Sequence, residues 1–255
     1  MANIKNLLFL IFLLIQFIYS KGKMSKQTIL YVGTTGDYKP VSFLNKETNK
    51  YEGIDIELSE LYAKENNLEL RFIPTTWPTL LEDVKNNKFD FAISGITITE
   101  KRQKEALMTI GYLNAGKTFL MRKEDINKYK TIEDVNNPNV RVMINPGGTN
   151  EQFALTYLKQ ANITVHQINE EIPGLISQGL ADIMVTEVIE GLVYINEFDN
   201  LAVPLYETPF TNMPIGILIN KDKKELLLKL NEWLQKKLDD GTIDEIKDKY
   251  IPYPK

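Results

Sequence analysis

The feature that most constrains the fold is a short unit of chain that occurs twice. In the first half, Asn-Asn-Lys-Phe-Asp (86–90) leads into Phe-Ala-Ile-Ser-Gly (91–95). In the second half, Ser-Gln-Gly-Leu-Ala-Asp (177–182) leads into Ile-Met-Val-Thr-Glu (183–187). Each time a helix stops, an Asp precedes an apolar strand, and polar groups stand at that strand's carboxyl end. Short apolar runs bounded by turn residues suit buried strands. Buried strands that alternate with amphipathic helices give α/β sheets with mostly parallel order. Two similar α/β lobes are therefore expected, not a short-period repeat array.

The spacing predicts a strand over 28–33 and a helix with Ile54, Leu58, Leu61 and Tyr62 on one face. A strand over 68–73, a helix over 78–86 with Pro78 in its first turn, and a strand over 89–93 complete the first unit. The second unit has a strand over 140–144, a turn at 146–149 and a helix carrying Phe153, Tyr157 and Leu158. A strand over 164–168, a helix over 172–178 and a strand over 181–185 follow. Segments 117–121 and 213–219 look extended, and two such crossings make a hinge. The tail over 223–250 reads as helical, with Leu226, Leu230, Trp233 and Leu234 on a core face. Ile243 and Ile246 mark a second helix, and the tail is expected to pack on the first lobe. The expected division is residues 27–117 and 214–255 for lobe one, and 118–213 for lobe two.

Composition narrows the chemistry. The 255 residues carry 34 acidic and 30 basic side chains, a net charge of −4. Nucleic acid is a poor partner for that balance, because phosphates need a surplus of Lys and Arg. There is no cysteine, which removes disulfides, thiolate metal sites and iron–sulfur clusters. His166 is the one histidine, so multi-histidine metal sites are excluded and no metal or cofactor is expected. His166 reads as a strand residue outside the chemistry. Acid–base work then falls to carboxylates, lysine or tyrosine. At the amino end, Lys5 precedes the apolar run Leu7 to Ile15, too short for a membrane span of roughly 18 residues. Residues 1–20 read as a signal peptide for a periplasmic product, with no cysteine for a lipid anchor.

Open α/β sheets bind ligands beyond the carboxyl ends of their strands, and clefts between lobes favour small molecules. Four regions qualify: 34–42, 75–78, 94–102, and 147–150 with 186–190. Ser94-Gly95-Ile96-Thr97 with Arg102 offers hydroxyls, a backbone N–H and a guanidinium, a carboxylate clamp. The alternative is a surface arginine in the basic stretch 101–104. Gly147-Gly148-Thr149-Asn150 opens a helix and suits an anion; it has no Walker lysine, and a plain turn and cap is its alternative. Asp37, Tyr38 and Trp77 would place a carboxylate and two aromatic faces around a ring. Lys117 would meet a second anionic group. Glu187 and Glu190 share a face if the chain turns helical after the strand. Near a low-dielectric cleft one of them can stay protonated and serve as a general acid. Two solvated helix carboxylates are the alternative.

Together these segments resemble the periplasmic solute-binding proteins for polar amino acids (family 3). The similarity covers nearly all of 27–250. It rests on Gly53-Ile54-Asp55, Phe89-Asp90, Ser94 to Thr97 with Arg102, and Gly148-Thr149. The resemblance implies a two-lobed periplasmic-binding-protein-like fold (type II), with the ligand cleft between lobes joined by two hinge crossings. It implies that Ser94, Thr97 and Arg102 hold an α-carboxylate, and that Glu187, in the place of an Asp, holds the α-amine. The chain is similar more closely to the cyclohexadienyl dehydratases, an enzyme branch of that fold. Thr34 to Pro40, Thr76-Trp77-Pro78, Gly116-Lys117-Thr118 and Asn145 to Glu151 carry this second likeness. Glu190 stands in the place of their catalytic glutamate, where binding proteins carry a small or apolar residue. Val41 in place of Phe, Glu187 in place of Asp and the acidic stretch 170–173 depart from the pattern. This likeness implies that prephenate, and arogenate, lose ring hydroxyl and carboxylate together, with Glu190 supplying the proton. The other function implied is non-catalytic capture of an amino acid for the membrane subunit of an ABC transporter.

Overall fold

The computed structural model describes residues 27–253; the signal peptide expected over 1–20 lies outside them. Two five-stranded mixed sheets organise the chain. The first runs Glu69–Pro74, Ile29–Thr34, Phe91–Ala92, Leu218–Ile219, Leu107–Met108. The second runs Asn162–Val165, Arg141–Ile144, Ile183–Glu187, Lys117–Arg122, Leu201–Ala202. In each sheet the first three strands are parallel and the last two join antiparallel. The two repeated units, 91–95 and 183–187, thus supply the middle strand of their respective sheets.

Burial explains the order. Phe119, Met121, Val142, Ile144, Ile183 and Val185 interlock in the second lobe. Leu30, Val32, Ile54, Leu58, Phe91, Leu230, Leu234 and Ile246 do so in the first. The C-terminal helices Lys224–Asp239 and Thr242–Tyr250 therefore pack on the first lobe. Trp233 and Lys237 both reach Glu65, and Lys249 reaches Glu57. Truncating a buried leucine here, such as Leu230→Ala, should cost about 2–5 kcal/mol.

Four expectations need correction. The crossing strand is Leu113–Ala115, paired antiparallel with Met213–Ile215. Lys117–Arg122 already lies inside the second sheet, between two neighbours. Its continuous run of buried side chains belongs to an internal strand, not to a linker. The strand expected at 164–168 is Asn162–Val165, because the chain then enters a single 3-10 turn, Asn169–Glu171. His166 follows that strand, and its ring reaches Glu171 at 2.8 Å on the surface. The strand expected at 89–93 pairs only over Phe91–Ala92. A small antiparallel sheet, Asp37–Tyr38, Ser42–Asn45 and Lys50–Glu52, had no apolar signal and was not expected.

The two lobes meet face to face. Asn169 of the second lobe donates to the Asp37 carbonyl of the first at 2.9 Å. Lys39 pairs with Glu197 and Lys46 with Glu170 across the seam. Gly147, at φ 82, sits against Pro78, where any Cβ would collide. The cleft is closed.

Candidate functional site: a closed cleft between the lobes

Antiparallel register sets Lys117 directly opposite Glu187. Both side chains are buried, and Lys117 Nζ lies 2.6 Å from Glu187 Oε1. The same ammonium donates to Thr149 Oγ1 at 2.7 Å and Asn150 Oδ1 at 2.6 Å. Its three hydrogens are thereby all used. Burial pushes the Lys117 pKa down, while Glu187 pulls it back up. The hydroxyl of Tyr38, from the first lobe, donates to Glu187 Oε2. Burial pushes that phenol well above its ordinary range.

The helix Val188–Glu197 starts where the strand ends, so Glu187 is its N-cap and Glu190 lies in its first turn. Glu190 is 1% exposed. Its Oε1 accepts from Asn169 Nδ2 at 2.6 Å and its Oε2 from the Thr186 hydroxyl. Burial pushes the carboxyl up to about 8; the Thr186 and Asn169 bonds oppose this, and Glu187 and Asp37 add to it. The protonated form dominates at neutral pH.

The first-lobe wall differs in part from the sequence expectation. Ser94 turns its hydroxyl toward Thr34 and Thr35, with Thr35 N–H donating to it at 3.1 Å. The Gly95 N–H is also taken, by Asp55 Oδ2 at 2.6 Å. Asp55 accepts a second bond from Tyr112 at 2.7 Å, and burial pushes its carboxyl up to about 7. Gly95 has φ 66 and presses on the Tyr38 ring, so glycine alone fits. Asp37 accepts from Trp77 Nε1 at 3.0 Å and braces that ring; burial raises its pKa. Tyr38 and Trp77 meet edge-on at 6.4 Å and 66°, forming a corner.

Arg102 is buried, donates to the Thr97 carbonyl at 2.8 Å and lies 5.9 Å from the Trp77 ring. Among the described residues no carboxylate pairs with it within 4.0 Å. Burial lowers its pKa to about 10, with Glu187 opposing, so it stays charged at neutral pH. A buried cation without a counter-ion favours an anionic ligand nearby. At the other wall, the helix Thr149–Tyr157 has Gly148 as its N-cap. Glu151 reaches back to the Gly147 N–H at 2.7 Å, and Thr149 and Asn150 serve Lys117 in place of the cap.

These walls line a small cavity at the lobe seam. Tyr38, Trp77, Gly95 and Thr97 line it from the first lobe. Lys117, Gly148, Thr149, Asn150, Glu187 and Glu190 line it from the second. Ser94, Asp37 and Arg102 are not part of this lining; Arg102 lines an adjoining pocket with Trp77, Gly148 and Thr149. Asn145 and Asn169 also line it, and neither was singled out from the sequence. Each leaves its Oδ1 without a partner among the described residues. Asn145 had a signal, as the first residue of the 145–151 stretch; Asn169 had none.

Comparison with known proteins places this architecture. The family model for bacterial extracellular solute-binding proteins, family 3, matches residues 30–253. The chain belongs to that family. Cyclohexadienyl dehydratase of Pseudomonas aeruginosa is 34% identical over 225 residues, covering 88% of this chain and 83% of that protein. The crystal structure of the ancestral amino-acid-binding protein AncCDT-1, a precursor of cyclohexadienyl dehydratase, superposes with a TM-score of 0.80 at 37% identity. It covers 88% of this chain and 95% of its own. An ancestral cyclohexadienyl dehydratase is 44% identical with a TM-score of 0.53, over 87% of this chain and 92% of its own. This family 3 protein thus has a two-lobed fold shared with amino-acid binders and with a dehydratase.

Proposed function

We propose that the protein is a periplasmic cyclohexadienyl dehydratase acting on prephenate and arogenate. The observation that carries this is Glu190, a buried carboxyl held up to about 8 in the cavity wall. A pure binder gains nothing from an uncharged acid at that place. The names of the relatives at 34% and 44% identity point the same way.

Hydroxide is a poor leaving group, so the ring C4 hydroxyl needs a proton as its C–O bond breaks. Glu190 gives that proton, and water leaves. The bond from the ring to its carboxylate breaks together with it, its electron pair enters the ring, and carbon dioxide departs. The ring becomes aromatic, giving phenylpyruvate from prephenate or phenylalanine from arogenate. Arg102 and Thr97 orient one carboxylate. Lys117 meets the second anionic group, exchanging its Thr149 or Asn150 contact for it. Tyr38 and Trp77 bound the ring. Glu187 meets the ammonium of arogenate. The signal peptide over 1–20 sends the product to the periplasm.

The purified mature protein should convert prephenate to phenylpyruvate with multiple turnovers. The competing reading, an amino-acid carrier for an ABC transporter, is favoured by Glu187 and by the likeness to AncCDT-1. It predicts no turnover, together with a raised thermal midpoint in the presence of one or a few amino acids.

A further inference from the structure

Asn169 sits in the 3-10 turn Asn169–Glu171 and is 3% exposed. Its amide nitrogen has two hydrogens. One goes to the Asp37 carbonyl across the seam at 2.9 Å, the other to Glu190 Oε1 at 2.6 Å. A backbone carbonyl can only accept, so this contact fixes which way the amide points. We propose that Asn169 is a positioning residue that aims the Glu190 carboxyl, and that the Asp37 carbonyl sets this aim only when the lobes are closed. This rests on Glu190 being the acid of the reaction above.

The consequence is chemical as well as geometric. With the Asn169 amide donating to Oε1 and the Thr186 hydroxyl to Oε2, the carboxyl is held in one orientation. Lobe opening removes the Asp37 carbonyl, frees the amide to rotate and releases the carboxyl from that orientation. Proton delivery is thus restricted to the closed, water-poor cleft. The other titratable groups facing Glu190 are Glu187 at its strand end, Asp37 and Tyr38 on the hairpin, Lys117 on the neighbouring strand, and Tyr194 on its own helix. None of these residues is replaced when Asn169 alone is changed.

The test compares wild type, Asn169→Ala and the similarly sized Asn169→Asp with prephenate over a range of pH. Misaimed reacting groups cost on the order of 10²-fold in rate. Asn169→Ala should lower kcat by about that factor while KM changes by less than about threefold. The amide favours the ionised carboxylate, so its loss should move the alkaline limb of kcat to higher pH. Asn169→Asp adds a like charge and should move it further the same way. Unchanged kcat, or a fall in kcat with the limb unmoved, overturns the proposal. If wild type does not turn prephenate over, the dehydratase reading fails separately. Infrared titration of the Glu190 carboxyl then decides for Asn169: an upward shift in Asn169→Ala supports its hold on Glu190, and no shift overturns it.

Discussion

The neighbouring strands Lys117–Arg122 and Ile183–Glu187 carry charged groups at both ends, and the two ends behave in opposite ways. At the outer end Asp182 receives both Arg141 and Arg122. Arg141 contributes bonds of 2.6 and 3.0 Å, and Arg122 one of 3.1 Å. Those donors outweigh burial and hold the Asp182 carboxyl at about 2. At the cleft end, the ammonium of Lys117 contacts Glu187 and not Glu190. Glu190 receives an amide and a hydroxyl, both neutral, and burial pushes it up to about 8. The two ends of one strand therefore adjoin one carboxyl held charged and another held protonated. The difference lies in the partners supplied: guanidinium donors on Asp182, against only neutral donors on Glu190. Under-compensation of buried charge is the mark of a working site.

The largest test of this contrast is the pair Glu190→Gln and Asp182→Asn, followed by steady-state kinetics with prephenate. Glu190→Gln should lower kcat by about 10²–10⁴-fold, while Asp182→Asn should leave it within about threefold of wild type. Equal losses would erase the distinction between the two ends.

Asp55, behind the Gly95 turn, extends the contrast to the first lobe. Its folded pKa of about 7 lies above the ordinary value of 3.8, so the folded state prefers the protonated acid. That preference is fully present below about pH 4 and is lost as pH rises through 7. The full shift corresponds to about 4 kcal/mol. Urea unfolding should show Asp55→Asn losing less stability than wild type as pH rises from about 4 to about 7. A parallel decline in both would show that Asp55 is not the group responsible.

Asp182 has the opposite sign. Its folded pKa is depressed, so its contribution is present above about pH 4 and is lost as pH falls toward 2. Asp182→Asn should cost about 2 kcal/mol at neutral pH, and that cost should shrink toward zero in acid. The smallest effect concerns closure. Tyr38→Phe removes the cross-lobe bond to Glu187. It should lower the thermal midpoint by an amount equivalent to about 1 kcal/mol and enlarge the radius of gyration in solution scattering. An unchanged radius would mean that the seam closes without it.

Much of this arrangement was legible in the residues, for reasons that differ by place. The repeated Asp-plus-apolar-strand unit marked the middle strand of both sheets, because buried strands need uninterrupted apolar runs. The same signal misled at 117–121, where an internal strand looks like an extended crossing until its neighbours are known. Glu190 was found by its position after a strand and by likeness to an enzyme branch. Lys117, Thr149 and Asn150 were found as separate anion contacts, but their mutual bonding depends on a register no local pattern reveals. Ser94 was expected in the cavity; Thr34 and Thr35, which hold it back, lie sixty and fifty-nine positions away in sequence. Asn169, followed by Glu170 and Glu171, reads as solvated loop, and only lobe contact buries it.

The most direct test follows phenylpyruvate formation from prephenate in wild type and Glu190→Gln, from neutral to strongly alkaline pH. A protonated Glu190 predicts a wild-type kcat that is level below about 8 and falls tenfold per pH unit above it, with the rate of Glu190→Gln far lower throughout. A wild-type rate that climbs through pH 8, or a Glu190→Gln variant with wild-type turnover, would contradict the account.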